Sequence, residues 1–381
     1  MKRKKLFLLL VSTCLILALA ISPFMAACAK PAVEPGAAEI AALKAEIAEL
    51  RKPAEVFEWK YQHDWGAGEN WLFESFGQEM EAMSNGRIKV DMFPGGGLIA
   101  WGEQMEALRM GTLDVYFMEH IWKSLIPVTM IEMAATQLGP GAYPMKVLYD
   151  NRKDYEGLPF GFGLLDVVRE AYLEQQGVYY ILPSFNDVGN FFLKFPISKL
   201  EDLKGKKVYM YSHMAGVLAP RTGVVVVDLP PEELYTSLAA GIIDGVGFGA
   251  AACGWDMGWH EVTEYFLESP SNYDPVQNAL LMAPEKWYAL PDDLKAIVEN
   301  AFTQNIEYMK TAYYYRETYK KQVMEEDYGI QMINLPQEEV DKYHRWVMEE
   351  VDEIMEEDEY CREAGEMLKE WVKFYELAGT D

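Results

Sequence analysis

His63 and Asp64 set a candidate general base beside a carboxylate able to orient it, the arrangement of an acid–base catalyst. No Ser or Cys nucleophile stands out to complete such a site. His213, beside an expected strand end, reads either as a hydrogen-bonded spacer or as a solute contact. Gly95-Gly96-Gly97 is a glycine run, yet it lacks the Lys-Ser/Thr of a phosphate loop and the dinucleotide fingerprint. It suits a tight turn or a close backbone approach to a solute. Cys253 and Cys361 have no Cys or His nearby at metal-ligand spacing, so zinc is unsupported. They read as two buried thiols or as one disulfide. No metal or other cofactor is expected. What remains is chemistry of recognition: many rings and amides, few reactive groups.

Elements able to position such residues alternate along the chain. Val56–Gln62 alternates like a strand, and Trp65–Asn70 turns into a helix running to about Asn85. Gly86 stops that helix, and Arg87–Phe93 is a second strand. A helix over Gly102–Met110 and a strand over Leu113–Met118 follow. This rhythm is that of parallel βα units. It recurs with a strand at Lys207–Met210, a helix opening at Ser212 or His213, and an apolar strand at Val224–Val227. A helix from Pro230 or Pro231 to Ala240 and a strand at Asp244–Phe248 complete this second set. Beyond Pro291 the pattern is mainly helical, with one break between Gly329 and Pro336. Tyr313-Tyr314-Tyr315 reads there as helix packing.

Charge narrows the partners. The chain has 34 basic and 60 acidic residues, a net of −26. So acidic a protein is a poor ligand for phosphate backbones, and nucleic acid is not an expected partner. An apolar fraction of 50% excludes a disordered body. After the N-terminal segments enough chain remains for two lobes.

The N-terminus carries an address. Lys2, Arg3, Lys4 and Lys5 precede an apolar run from Leu6 to about Ile21, which is an export-signal pattern. At about sixteen residues the run is short of the roughly twenty a spanning helix needs. Met25-Ala26-Ala27-Cys28 resembles the lipobox of bacterial lipoproteins, apart from Met25, where Leu, Val or Ile is usual. An ordinary secretory signal cut near Ala26 or Ala27 is the alternative. In the lipoprotein reading, residues 1–27 are the signal and Cys28 takes the lipid. Residues 28–53 then form a linker with a short helical stalk (Ile40, Leu43, Ile47, Leu50), a dimer zipper being the alternative reading of that seam.

The segment 196–249 resembles the extracytoplasmic solute receptors of TRAP transporters, the DctP-like family. The turn Pro196-Ile197-Ser198-Lys199-Leu200-Glu201-Asp202-Leu203-Lys204-Gly205 runs into the strand Lys207-Val208-Tyr209. Glu233, Tyr235, Leu238, Gly241 and Asp244-Gly245 then keep the family's spacing. Gly86–Val90, Gly111–Asp114, Trp287, Leu290-Pro291 and Asp293-Leu294 fit as well, so the likeness covers about residues 57–335. It implies an α/β, two-lobed periplasmic-binding-protein-like fold with a ligand cleft between lobes and long C-terminal helices. One lobe would hold 54–185 plus about 275–310, the other 186–274 plus about 311–381. It also implies a receptor outside the cytoplasmic membrane, partnered by TRAP membrane subunits, that catalyses nothing. A secreted lipoprotein enzyme on this scaffold and a non-transporting ligand sensor are the competing readings.

In that family an Arg at the position of Tyr209 clamps a carboxylate, and a bidentate Arg fork matches a carboxylate in shape and charge. Tyr209 cannot supply that charge. In the subgroup that binds 2-oxo acids, a Glu-Trp pair holds a metal ion with the solute; here the pair is Gly247-Phe248. The expectation is therefore a ring-lined cleft for a cyclic, aromatic or otherwise not simply carboxylic solute. Candidate contacts are Trp65, Phe93, Trp122, Phe185, Tyr209, Tyr211, Phe248 and Trp255, with Asn186, Asn190 and His213 as hydrogen-bonding groups. Aromatics make up 13% of the chain, so many of these rings must also serve the core.

Overall fold

Strand and helix alternate from Phe57 onward in the computed structural model, which describes residues 44, 55–65, 67–118, 126–138, 147–150, 153–155, 158–185, 189–210, 212–269 and 277–378. The chain divides into one unit spanning Met1–Glu55 and another spanning Val56–Asp381, and the description below concerns the second. The signal, Cys28 and the linker lie outside the described residues, as does all of the stalk except Lys44.

The strands are β1 (Phe57–His63), β2 (Ile88–Phe93), β3 (Val115–Met118), β4 (Lys153–Tyr155), β5 (Leu158–Phe160), β6 (Tyr179–Phe185), β7 (Phe191–Leu193), β8 (Lys207–Met210), β9 (Val225–Val226), β10 (Gly245–Gly247), β11 (Tyr265–Ser269), β12 (Gln277–Met282) and β13 (Gln331–Asn334). The helices are α1 (Asn70–Met83), α2 (Gln104–Arg109), α3 (Thr129–Leu138), α4 (Leu164–Gln176), α5 (Ser212–Thr222), α6 (Leu234–Ala239), α7 (Ala251–Asp256), α8 (Pro284–Ala289), α9 (Asp292–Tyr328), α10 (Gln337–Ile354) and α11 (Glu359–Ala378).

Two sheets organise these elements. One has the order β2-β1-β3-β12-β6 and the other β13-β11-β7-β10-β8-β9; β4 and β5 form a separate pair. β1 runs parallel to β2 and β3, as the βα rhythm requires, and α1 returns the chain through Asn85 (φ 56°) and Gly86 (φ 79°). β12 enters from far along the chain and lies antiparallel between β3 and β6. The strand expected over Val224–Val227 is only Val225–Val226 and is exposed, because β9 is an edge strand paired solely with β8.

Each sheet packs apolar side chains on both faces. α1 and the first half of α9 cover one face of the first sheet, with Phe73, Phe76, Phe117, Val298 and Phe302 in one cluster. A second cluster lies against the second sheet and includes Phe192, Tyr209, Leu234, Val246 and Trp259. The remaining faces share one continuous core built with α3, α4, α5, α10 and α11, so the C-terminal helices seat against elements of both sheets.

α9 links the two layers more directly. Its 37 residues span about 55 Å. Asp292 and Asp293 sit favourably in its first turn, and Gly329 ends it in the left-handed conformation. Asn305 donates from Nδ2 to Leu72 O (2.7 Å) beside the first sheet. Glu317, three turns on, is bound to elements beside the second. The expected packing of Tyr313-Tyr314-Tyr315 holds for Tyr313 alone, which meets Trp65 at 5.3 Å. Tyr314 and Tyr315 are 77% and 72% exposed. Consecutive helical residues point about 100° apart, so three in a row cannot share one buried face.

Candidate solute-binding site

Strand direction locates the cleft. β1, β2, β3 and β6 all end on the edge of the first sheet where β12 begins. β8, β9, β10, β11 and β13 all end on the edge of the second sheet where β7 begins. The chain crosses from the end of β6 to the start of β7, and from the end of β11 to the start of β12. Both crossings thus join these same two edges, and ligands of α/β sheets collect beyond strand C-termini.

At the first edge, the groups after β1 are committed to one another. His63 Nδ1 accepts the Trp65 N–H (3.2 Å), so its Nε2 carries the hydrogen and donates to Asn70 Oδ1 (2.9 Å). Burial lowers its pKa to about 4, against the raising effect of both hydrogen bonds, so the ring is neutral at pH 7. Asp64 accepts from the Tyr116 hydroxyl at 2.6 Å. The suggested base–orienter pair is therefore spent on separate partners. Gln62 accepts the Leu98 and Ile99 amides and donates to Ile99 O, which holds the glycine loop down. A Cβ on Gly95 would stand 2.5 Å from Asp64 O, so that glycine permits backbone to approach backbone.

Trp65 closes this edge. Its ring lies against Phe73, Phe117 and Tyr313, and its Nε1 is buried with no partner among the described residues. Two further buried groups are unpartnered in the same sense: Ser184 Oγ, near the end of β6, and Asn190 Oδ1, just before β7. The Asn190 amide nitrogen donates to Leu267 O (3.0 Å) and Glu268 O (3.1 Å), which aims the group across β11. An indole N–H donor, a hydroxyl and an amide oxygen acceptor thus lie along these edges without partners among the described residues. Leaving such groups unmatched costs roughly 1–3 kcal/mol each, which a solute or ordered water would offset.

The second edge explains the missing arginine and glutamate in packing terms. Tyr209, opposite Val246, is buried in the cluster with Leu234, Leu238 and Trp259, its ring 6.2 Å from Phe248. A Cβ on Gly247 would stand 2.5 Å from Phe191 Cε1 and 2.9 Å from Met214 Sδ. The room a glutamate would need there is taken by a neighbouring ring and sulfur. Among the described residues, no group of three or more His, Cys, Asp or Glu is arranged to hold a metal ion.

The remaining candidates are dispersed. Phe93 ends β2 beside Gln62 and is half-buried. Trp255 lies a turn into α7, stacked on His260 at 4.0 Å with Lys320 over its ring at 4.1 Å, so it clamps α7 to α9. His213 belongs to the first turn of α5. Phe185 is the last residue of β6. Trp122, Asn186 and Tyr211 lie outside the described residues. Cys253 and Cys361 are not joined in a disulfide. Among the described residues, the Arg316 guanidinium reaches the region: it lies 5.9 Å from the Tyr313 ring and is bound to Asp256 at 2.6 Å. A depression of about 470 Å³ lined by Phe195, Pro196, Ile197, Ser198, Asp202 and Lys206 adjoins the turn before β8, at the opposite end of that strand.

Sequence reasoning missed Glu317 and Ser184. Glu317 accepts the Ala251 and Ala252 amides at 2.8 and 2.6 Å and so caps α7 directly after the β10 edge. Nothing in its charged helical neighbourhood distinguishes it.

Two α/β layers, joined twice along one edge and strapped by a long helix, define the class of two-lobed solute receptors. The DctP profile, described as bacterial extracellular solute-binding protein, family 7, matches residues 69–358, and the chain belongs to that family. The family so described binds solutes outside the cell. A solute-binding protein of Albidiferax ferrireducens is 27% identical over 174 residues, 45% of this chain. The YiiZ protein of Salmonella typhimurium is 27% identical over 245 residues, 62% of this chain. The matched stretches span 48% and 69% of those relatives' own lengths, about half of the first. Among solved structures, a TRAP periplasmic solute binding protein of Rhodobacter sphaeroides in an apo open form shares the fold with a TM-score of 0.69 and 21% identity, covering 84% of this chain and 99% of that one. One from Chromohalobacter salexigens, with bound (S)-(+)-2-amino-1-propanol, gives 0.67 and 24%, covering 86% and 98%. One from Desulfovibrio salexigens, with bound orotic acid, gives 0.66 and 19%, covering 84% and 98%.

Proposed function

We propose that this chain is the receptor of a TRAP-type transporter, tethered by lipid on Cys28, that captures a small cyclic, aromatic or otherwise not simply carboxylic solute and hands it to membrane subunits. The carrying observation is Tyr209, packed on Phe248 where the resemblance implies a carboxylate-binding Arg. Its neighbour Gly247 has no space for an acidic side chain, and Arg316 is already bound to Asp256. Rings at such an edge contribute about 0.5–1.5 kcal/mol each beyond area burial when they meet another ring. The Trp65 donor, the Ser184 hydroxyl and the Asn190 acceptor would orient polar groups on the solute. The lobes would be residues 54–185 plus about 275–310 and 186–274 plus about 311–381, closing on the solute about the two crossings and α9. The relatives' ligands, an amino alcohol in one and orotic acid in another, belong to those proteins and illustrate how widely this fold varies its cargo.

A thermal-shift screen tests the solute class. At 100 times its dissociation constant, a true ligand adds about 2.7 kcal/mol of stability. Heteroaromatic acids or neutral cyclic compounds are expected among the binders, whereas succinate is expected to leave the midpoint unchanged. A large succinate shift would overturn the reading. The anchor is tested separately by growing cells with labelled palmitate. Wild-type protein should take up label and sediment with membranes, and Cys28→Ser should do neither. A labelled, membrane-bound Cys28→Ser protein would rule the anchor out.

A further inference from the structure

We infer that the outer face of α9 is a self-association surface, on which a second copy of this chain packs antiparallel about a two-fold axis at Tyr315. Every exposed residue between Glu307 and Glu325 is uncharged: Tyr308, Thr311, Tyr314, Tyr315, Thr318, Tyr319 and Gln322. That is unusual on a chain with a net charge of −26. The charged residues of the same stretch are turned aside or engaged. Lys310 binds Glu307 at 3.1 Å, Arg316 binds Asp256 at 2.6 Å, and Lys321 binds Glu268 at 3.0 Å. Lys320 covers Trp255, and Glu317 is buried on α7. Thr311 and Thr318 turn their hydroxyls back onto Glu307 O and Tyr314 O, both at 2.9 Å, which leaves their methyl groups outward.

Charge decides among occupants. Two copies of so acidic a protein repel, and so do one copy and an anionic bilayer. An uncharged face is where two copies meet without opposing carboxylates. The spacing Tyr308, Thr311, Tyr315, Thr318, Gln322 runs three, four, three, four, as in a helix-pairing seam. About a two-fold axis at Tyr315, Tyr319 of each copy falls opposite Thr311 of the other, a large residue against a small one. Tyr308 falls opposite Gln322, and Tyr315 meets itself. Glu307 falls opposite Val323 and Glu325 opposite Asn305, so no carboxylate faces a carboxylate. This is the self-complementarity an isologous contact requires. Trp71, exposed and 6.1 Å from Tyr308, extends the patch. Taking roughly 200 Å² per ring, the exposed parts of Trp71, Tyr308, Tyr314, Tyr315 and Tyr319 amount to about 600 Å² per copy, or about 1,200 Å² for the pair. Fully covered, that reaches the lower bound of a specific interface, roughly 1,200–2,000 Å², as a weak, concentration-dependent pair would.

Sedimentation velocity on the mature chain, from 1 to 200 µM at 50 and 500 mM NaCl, tests this without any membrane partner. The wild type is expected to pass from monomer to dimer, at lower concentration in high salt because salt screens acidic repulsion. Tyr315→Asp puts two like charges on the axis and should shift the midpoint upward at least tenfold, with an unchanged thermal midpoint because residue 315 is exposed. Tyr315→Phe should still dimerise. A wild type that stays monomeric at 200 µM in both salts overturns the inference, as does a Tyr315→Asp chain that pairs as tightly as the wild type. The first result would leave the face to some other partner.

Discussion

Glu132→Gln is expected to make the chain more stable than the wild type at pH 8, by a clearly wider margin than at pH 5. Glu132 lies on α3 in the core, where its Oε1 accepts from the Tyr149 hydroxyl at 2.5 Å and the Tyr180 hydroxyl at 2.9 Å. Burial raises its pKa to about 7, and the two phenol hydrogen bonds pull it only partly back. The folded chain therefore keeps this proton to higher pH than the unfolded chain, whose Glu titrates near 4.3. Its contribution is full below that value, falls as pH rises toward about 7, and is gone above. At 1.36 kcal/mol per unit the loss across the window is roughly 3–4 kcal/mol. A Gln side-chain oxygen accepts the same two phenols and never ionises. Urea denaturation of both chains at pH 5, 6, 7 and 8 measures the difference. Other carboxylates titrate alike in both and cancel, so parallel pH profiles would refute the assignment.

Glu317→Ala should lower stability by about 3 kcal/mol. The Ala251 and Ala252 amides at the start of α7 would lose the carboxylate that accepts them, and each buried donor left unmatched costs about 1–3 kcal/mol. In a chain of this size the thermal midpoint should drop by roughly 4–6 °C. Glu317→Gln keeps one acceptor oxygen and should fall between the two. Because Glu317 also ties α9 to the β10 edge, ligand affinity should weaken alongside stability. A Glu317→Ala chain that melts with the wild type would mean water replaces the carboxylate at no cost.

Much of the fold was legible locally. Gly86 after an apolar-periodic helix placed the turn between α1 and β2, and Gly329 marked the end of α9. The ordered motifs between Pro196 and Gly245 pointed to a two-lobed receptor. The two-lobed reading rests on the family resemblance, whereas short-range periodicity carries the helix and strand ends because each is set by neighbours within a few residues. It does not carry which strand lies beside which. Nothing near Gln277–Met282 announces that β12 slots antiparallel between β3 and β6, since the pairing is decided by residues more than ninety positions away.

The site divides the same way. The family resemblance, read on the sequence, showed that Tyr209 and Gly247 stand where charged, carboxylate-gripping groups are expected, and composition showed that the chain is strongly acidic. Only packing in three dimensions determined that Phe191 and Met214 fill the space beside Gly247 and that Trp255 clamps helices. Packing likewise decided that Glu317 caps α7, and that Tyr314 and Tyr315 face outward beside a buried Glu317. A side chain's partner is chosen by whatever the remote chain brings within a few ångströms, and composition and spacing hold no record of that distance.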